Sequence, residues 1–223
     1  VERDDYVIKG VIFDFDGLIV DTESVWFEAL KEVLMEKHHV ELELSKYSSC
    51  IGTGSDVLFK YLRGVVGEDV DCELLNQLAL EKYNEKMKQP SLREGVIEYL
   101  EEAKINNLKI GLASCSSREW VARHLKPLNI IEYFDVINTK NDVKKVKPDP
   151  EIYIKTLTDC NLKRPEAVAF EDSLNGLLAA KEAGIRCVIV PNDVTRHLSF
   201  ETHDYKLETM SQEALSEVIK KLI

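Results

Sequence analysis

The sequence predicts an α/β fold: a parallel, doubly wound sheet with a small all-helical segment inserted after the first strand. Three observations lead there. Short apolar runs at residues 11–13, 108–113, 167–170 and 187–190 alternate with stretches of helical periodicity, the pattern that builds parallel βαβ units. Residues 22–90 carry helical periodicity and no convincing strand. Acids or small polar residues follow several of the apolar runs, at the carboxyl ends where open α/β sheets place their chemistry.

The first strand reads Val11-Ile12-Phe13, then Asp14-Phe15-Asp16-Gly17. Apolar β-branched and aromatic residues bounded by glycine suit a strand buried on both faces. In a continuous strand Asp14 and Asp16 would share one face and repel each other. Gly17 implies that the chain is already turning, and a cation would relieve the repulsion. The plainer alternative is two solvated acids before a turn. A helix is expected over 22–37, with Thr22 as N-cap and a stripe of Val25, Trp26, Ala29, Leu30, Val33 and Leu34. Two further helical segments cover 57–62 and 74–83, and Pro90 closes the insert. Residues 1–21 and 91–223 are therefore expected to form the core domain and 22–90 the insert.

Beyond Pro90 the pattern is regular. It predicts a helix over 95–105, a strand over 108–113, a helix over 118–126 and a strand over 135–138. A helix over 150–158 has proline near its first turn. The strand at 167–170 precedes a helix over 174–183 stopped by Gly184, and the strand at 187–190 is stopped by Pro191. A short strand at 205–207 and a helix over 212–222 complete the expectation.

With 223 residues the chain is long enough for a core plus an insert, and its net charge of −11 opposes non-specific binding to nucleic acid or anionic lipid. No apolar run approaches the roughly 20 residues that span a bilayer. The first ten residues lack the basic-then-apolar order of a signal peptide. Five scattered cysteines without C-x-x-C spacing suit a reduced intracellular protein. The expectation is a cytoplasmic monomer without nucleic-acid or membrane partners.

Three more stations join the opening acids. Ser114-Cys115-Ser116-Ser117 offers hydroxyls and helix-start N–H groups, a ready anion site. Lys147 stands before Pro148-Asp149-Pro150, where a stiffened backbone would aim its ammonium. Glu171-Asp172 is a second acid pair after a buried strand. Magnesium takes oxygen ligands from one or two carboxylates plus phosphate and water, so acids from two neighbouring strands suit it.

Asp14-Phe15-Asp16-Gly17 with Asp21-Thr22, then Ser114, Lys147-Pro148 and Glu171-Asp172, resembles the four signatures of the haloacid dehalogenase (HAD) superfamily. The helical insert resembles the cap of its β-phosphoglucomutase-like branch, and the resemblance runs from about residue 8 to about 200. It implies a Rossmann-like core, a mobile helical cap hinged near Thr22 and Pro90, and magnesium-dependent phosphoryl transfer through an aspartyl phosphate. Asp14 would be the nucleophile and Asp16 the general acid and base. Magnesium would be held by Asp14, the Asp16 main-chain carbonyl and Asp172, with Glu171 nearby or through water. Ser114 and Lys147 would neutralise the phosphoryl oxygens, assisted by the N–H groups of Cys115 and Ser116. Asp16 also separates the chain from the true dehalogenases, which lack this acid and the metal.

The expected activity is a magnesium-dependent phosphatase acting on a small phosphorylated metabolite, such as a sugar phosphate. The alternative is a β-phosphoglucomutase interconverting β-glucose 1-phosphate and glucose 6-phosphate. The mutase pattern resembles Asp-Thr-Ala-x-x-His and Lys-Gly-x-x-Arg. This chain has Trp26, Ile51 and Ser55 at its histidine, lysine and arginine positions, which favours hydrolysis. Lys60, Arg63 or Arg93 are possible substitutes. A phosphate-accepting receiver domain and a non-catalytic HAD descendant are the readings from other classes, and repeated turnover separates both from a phosphatase. Trp26 and Trp120 read as packing residues, His38-His39 as a solvated helix end and Gly52-Thr53-Gly54 as a loop; Glu23 reads as a cleft residue.

Overall fold

The computed structural model describes residues 7–223. The elements run β1 (Gly10–Phe13), α1 (Thr22–His38), α2 (Leu44–Tyr47), α3 (Ser55–Val66), α4 (Cys72–Lys86) and α5 (Val96–Ile105). Then come β2 (Lys109–Ala113), α6 (Arg118–Leu125), β3 (Val136–Asn138), α7 (Glu151–Asp159) and β4 (Ala167–Glu171). The chain ends with α8 (Leu174–Glu182), β5 (Arg186–Ile189), β6 (Tyr205–Lys206) and α9 (Leu215–Leu222). All strand pairs are parallel, in the order β3-β2-β1-β4-β5-β6. The doubly wound α/β fold expected from the sequence is the one observed. The winding direction reverses between β1 and β4, and a crevice at that switch point is where such sheets bind ligands.

Period-two alternation explains how the sheet is buried on both faces. Val11, Phe13, Ile110, Leu112, Val168 and Phe170 face one layer, formed by α5, α6 and α9. Ile12, Ala113, Ala167, Ala169 and Cys187 face the other, formed by α7 and α8. The insert has a cluster of its own, in which Phe27, Leu30, Val33 and Leu34 of α1 meet Tyr47, Leu62, Leu75 and Ala79. The two crossings between insert and core lie side by side: Val20 pairs antiparallel with Leu92, and the Arg93 N–H donates to Ile19 O at 2.9 Å.

Several local expectations change. Asp21, not Thr22, caps α1: its carboxylate accepts the Ser24 N–H at 3.1 Å, while the Thr22 hydroxyl turns to Asp16. Phe27 is buried in place of Val25 and Trp26, which stay partly exposed because the α1 stripe is shared between the insert core and the cleft. The last helix starts at Leu215 rather than at 212. A separate turn at Met210–Gln212 precedes it, and the Glu102 carboxylate accepts the Leu215 and Ser216 N–H groups at 2.8 and 2.9 Å. Lys147 does not follow a strand directly; it lies well past β3, in the loop leading to α7. The short helix α2 had no signal of its own in the sequence.

Candidate active site

Parallel pairing of β1 and β4 sets Phe13 opposite Phe170, so the next residues, Asp14 and Glu171, emerge side by side. The Asp14 N–H still donates to Phe170 O at 3.0 Å, which prolongs the ladder by one bond and fixes where the carboxylate starts. Asp14, Glu171 and Asp172 each place a carboxylate oxygen within 4.8 Å of the others, and all three are buried. Lys147, only 1% exposed, donates to Asp14 Oδ1 at 2.5 Å and to Glu171 Oε1 at 2.6 Å. Glu171 also accepts from Tyr153 Oη at 2.6 Å and from Ser173 Oγ at 3.2 Å, so both its oxygens are engaged.

The electrostatics follow from burial. Desolvation pushes the Asp14 carboxyl up, with Lys147 opposing and Glu171 reinforcing the shift. Desolvation likewise raises Asp172 above the usual carboxylate range, and the charges of Asp14 and Glu171 add to it. For Lys147, burial alone would lower the ammonium, but Asp14 and Glu171 together reverse that and hold it protonated. With all three carboxyls ionised, the one ammonium of Lys147 would leave two negative charges unbalanced in a buried site, and that repulsion joins desolvation in pushing Asp14 and Asp172 up. A divalent cation matches that excess.

One atom tests the fit directly. Asp172 Oδ1 is buried and has no hydrogen-bond partner, whereas Asp172 Oδ2 accepts from Asn192 Nδ2 at 2.7 Å. An orphaned carboxylate oxygen beside two more acids is the donor set that a hard cation takes. The residues therefore fit magnesium. Gly17 belongs to this cradle: its φ is +76°, and a Cβ there would come within 2.3 Å of Asp172 Oδ2. Gly176 has the same relation to Glu171, whose carboxylate sits 2.0 Å from where its Cβ would be.

Asp16 lies apart from this cluster, on the wall of a cleft of about 470 Å³ between insert and core. Its Oδ1 accepts from Thr22 Oγ1 at 2.9 Å and Trp120 Nε1 at 2.8 Å. Its Oδ2 accepts from Ser116 Oγ at 2.6 Å and Ser114 Oγ at 3.3 Å. The Ser116 N–H donates to Ser114 Oγ at 3.0 Å, and the Cys115 thiol donates to Gly52 O in the insert at 3.3 Å. Burial raises that thiol to about 12, which keeps it a neutral donor. The serine stretch thus meets both Asp16 and the insert.

The insert side of the cleft carries Glu23, Trp26, Tyr47, Ser55, Asp56 and Asn76, and among the described residues the one basic side chain lining the cleft is Lys140, from the core. Arg93 does not line it: its guanidinium donates to the carbonyls of Gly17, Val190 and Pro191. Nor do Lys60 and Arg63, both exposed on α3. Glu23 accepts from Tyr47 Oη at 3.2 Å, and enclosure lifts its carboxyl from 4.5 to about 8, with the Asp16 charge adding to the rise. Between those two values the folded protein holds a proton that the unfolded chain has lost, so stability falls as pH rises through that window. Glu23→Gln is therefore expected to gain on the order of 1–2 kcal/mol on wild type between pH 5 and pH 8.5, a size moderated by water in the cleft. Denaturant unfolding at the two pH values reads this, and parallel changes in both proteins would refute it.

Sequence reasoning brought Asp14, Asp16, Ser114, Cys115, Ser116, Lys147, Glu171 and Asp172 to this region, and the fold assembles them there. It missed Trp120 and Thr22 as partners of Asp16, Tyr153 on Glu171, and Asn192 on Asp172. Thr22 lies close to Asp16 in the chain but read as a helix cap, whereas Trp120, Tyr153 and Asn192 come from other elements and are brought in by packing.

Known proteins supply the comparison. Residues 11–190 match the family model described as haloacid dehalogenase-like hydrolase. YhcW of Bacillus subtilis (strain 168), named as a phosphatase, is 44% identical over 217 residues, covering 97% of this chain and 98% of that protein. The phosphorylated carbohydrates phosphatase of Thermotoga maritima is 32% identical over 182 residues, covering 80% and 82%. The crystal structure of CbbY from Rhodobacter sphaeroides in complex with phosphate superposes with a TM-score of 0.76 at 28% identity, covering 92% of this chain and 96% of that one. With its switch-point carboxylates, its buried lysine and its helical insert, this chain belongs to the haloacid dehalogenase-like hydrolases.

Proposed function

We propose that this chain is a magnesium-dependent phosphomonoester hydrolase acting on a small phosphorylated metabolite, a sugar monophosphate above all. The observation that carries the reading is the Asp14–Lys147 contact at the sheet switch point, with Asp16 on the adjoining cleft wall. The names of the Bacillus and Thermotoga relatives, and the phosphate in the CbbY complex, support it.

In this reading an Asp14 carboxylate oxygen attacks phosphorus as the bond to the leaving oxygen breaks, and Asp16 gives that oxygen its proton. Water then attacks the aspartyl phosphate and yields a proton to Asp16; phosphate departs and the Asp14 carboxylate returns. Lys147 holds Asp14 in place and supplies positive charge where the phosphoryl oxygens develop theirs. Ser114, with the N–H groups of Cys115 and Ser116, lines the same end. Asp14, Asp172 and the Asp16 main-chain carbonyl would hold magnesium, with Glu171 beside them. When bound, the metal would supply further charge neutralisation at the phosphoryl group. Residues 22–90 act as a cap over the cleft.

The insert wall argues against a second phosphate. Its lining mixes aromatic, aliphatic, hydroxyl, amide and acidic side chains with no cation among them, which suits the neutral hydroxyl-bearing end of a sugar and repels another dianion. Phosphate release from glucose 6-phosphate, fructose 1-phosphate, glycerol 3-phosphate and fructose 1,6-bisphosphate tests both points. Multiple turnovers that need magnesium are expected, with kcat/KM for the bisphosphate at least about ten-fold below the best monophosphate. No release from any ester, or release indifferent to chelator, refutes the reading. Conversion of β-glucose 1-phosphate to glucose 6-phosphate without free phosphate would establish the mutase instead.

A further inference from the structure

Asp16 is held by four donors that are not equivalent. The hydroxyls of Thr22, Ser114 and Ser116 can each rotate and accept a hydrogen bond instead of donating one. The Trp120 indole N–H can only donate. The two carboxylate oxygens therefore differ. Oδ1 is bound by a donor that cannot reverse, whereas Oδ2 faces only hydroxyls that can turn to accept.

The indole is itself fixed in direction. Its ring lies 4.5 Å from that of His124, 5.0 Å from Tyr83 and 6.1 Å from Trp26, centroid to centroid. His124 is tied on both sides, with Nδ1 at 2.9 Å from Trp120 O and Nε2 at 2.8 Å from Tyr83 Oη. Trp26 and Tyr83 come from α1 and α4 of the insert, while Trp120 and His124 come from α6 of the core. The ring has little freedom to swing its N–H away from Asp16.

We propose that Trp120 is a positioning residue for proton transfer: its N–H pins Asp16 Oδ1 as a permanent acceptor, so that Oδ2 is the oxygen that passes the proton to the leaving group. This rests on the phosphoryl-transfer reading above. The proton leaves Oδ2 for the ester oxygen as the P–O bond breaks, and Ser114 or Ser116 turns its hydroxyl back toward the newly charged oxygen. Without the indole N–H, both oxygens face only reversible hydroxyls, and the acid loses its fixed orientation.

The test compares phenyl phosphate with p-nitrophenyl phosphate, esters of like shape whose leaving groups differ in their need for a proton. Two proteins replace the N–H: Trp120→Phe, and a protein carrying β-(3-benzothienyl)alanine at position 120, which keeps the bicyclic ring and substitutes sulfur for N–H. The expected result is that kcat/KM for phenyl phosphate, relative to p-nitrophenyl phosphate, falls by about ten-fold or more in both, part of the rate a positioned general acid supplies. A residue that only packs the cleft or stacks on substrate would alter both esters equally, so an unchanged ratio in the benzothienyl protein overturns the proposal. Asp14→Asn is measured alongside. An unchanged ratio with Asp14-dependent turnover refutes Trp120 positioning alone, whereas turnover that survives Asp14→Asn refutes the phosphoryl-transfer reading and this proposal with it.

Discussion

Asp14→Asn is expected to lower turnover by at least about 10⁴-fold while leaving the fold intact, a loss of roughly 5.5 kcal/mol of transition-state stabilisation. The amide keeps the shape of the carboxylate but lacks a nucleophilic oxygen, so an aspartyl phosphate cannot form there. Stability should change little, because two effects oppose each other. Asparagine removes a buried carboxyl that desolvation already drives toward its neutral form, which is favourable. It also weakens one of the two charged contacts of Lys147, the other being to Glu171 at 2.6 Å. Phosphate release, together with a thermal melt, reads both. Retention of more than about a hundredth of wild-type turnover would exclude Asp14 as the nucleophile, since residual catalysis by positioning alone is not expected to reach that level.

The second large effect is at Lys147. Lys147→Met keeps much of the side-chain volume but leaves Asp14, Glu171 and Asp172 as buried carboxylates without their ammonium. Breaking a buried charge network by removing one partner costs about 3–5 kcal/mol, most of it the penalty of stranded charge rather than the worth of the pair. For a chain of this size that is a fall in melting temperature of roughly 6–20 °C. Turnover should drop by about 10²–10³-fold, the size found when one preorganised donor to a developing charge is lost. The stability loss should be smaller at acid pH, where the stranded carboxyls can take up protons. Equal melting temperatures for wild type and variant at pH 7.5 would show that Lys147 does not carry this balance.

Legibility of the site followed the local chemistry. Asp14 and Glu171 were readable because each follows an apolar run that can only be a buried strand, and strand ends are where an open sheet exposes side chains. Lys147 was readable from Pro148 and Pro150, although it lies well past the end of β3. The helix cap was misassigned because Asp21 and Thr22 are both good capping residues, and the choice between them depends on Asp16, which draws the Thr22 hydroxyl away. Trp120 looked like packing, and it is packed; its hydrogen bond depends on a carboxylate more than a hundred residues earlier in the chain.

By itself, then, the sequence determined the parallel α/β architecture, the helical insert and the acids, hydroxyls and lysine of the site. Strand periodicity and turn residues act over a few positions and are written locally. Tertiary structure alone decided which carboxylate oxygens are engaged and which is orphaned, and that Lys147 bridges Asp14 and Glu171. It also decided that the insert wall of the cleft bears Glu23, Tyr47 and aromatic rings rather than cations. These outcomes depend on contacts between elements far apart in the chain, whose distances are set by how the helices and strands pack.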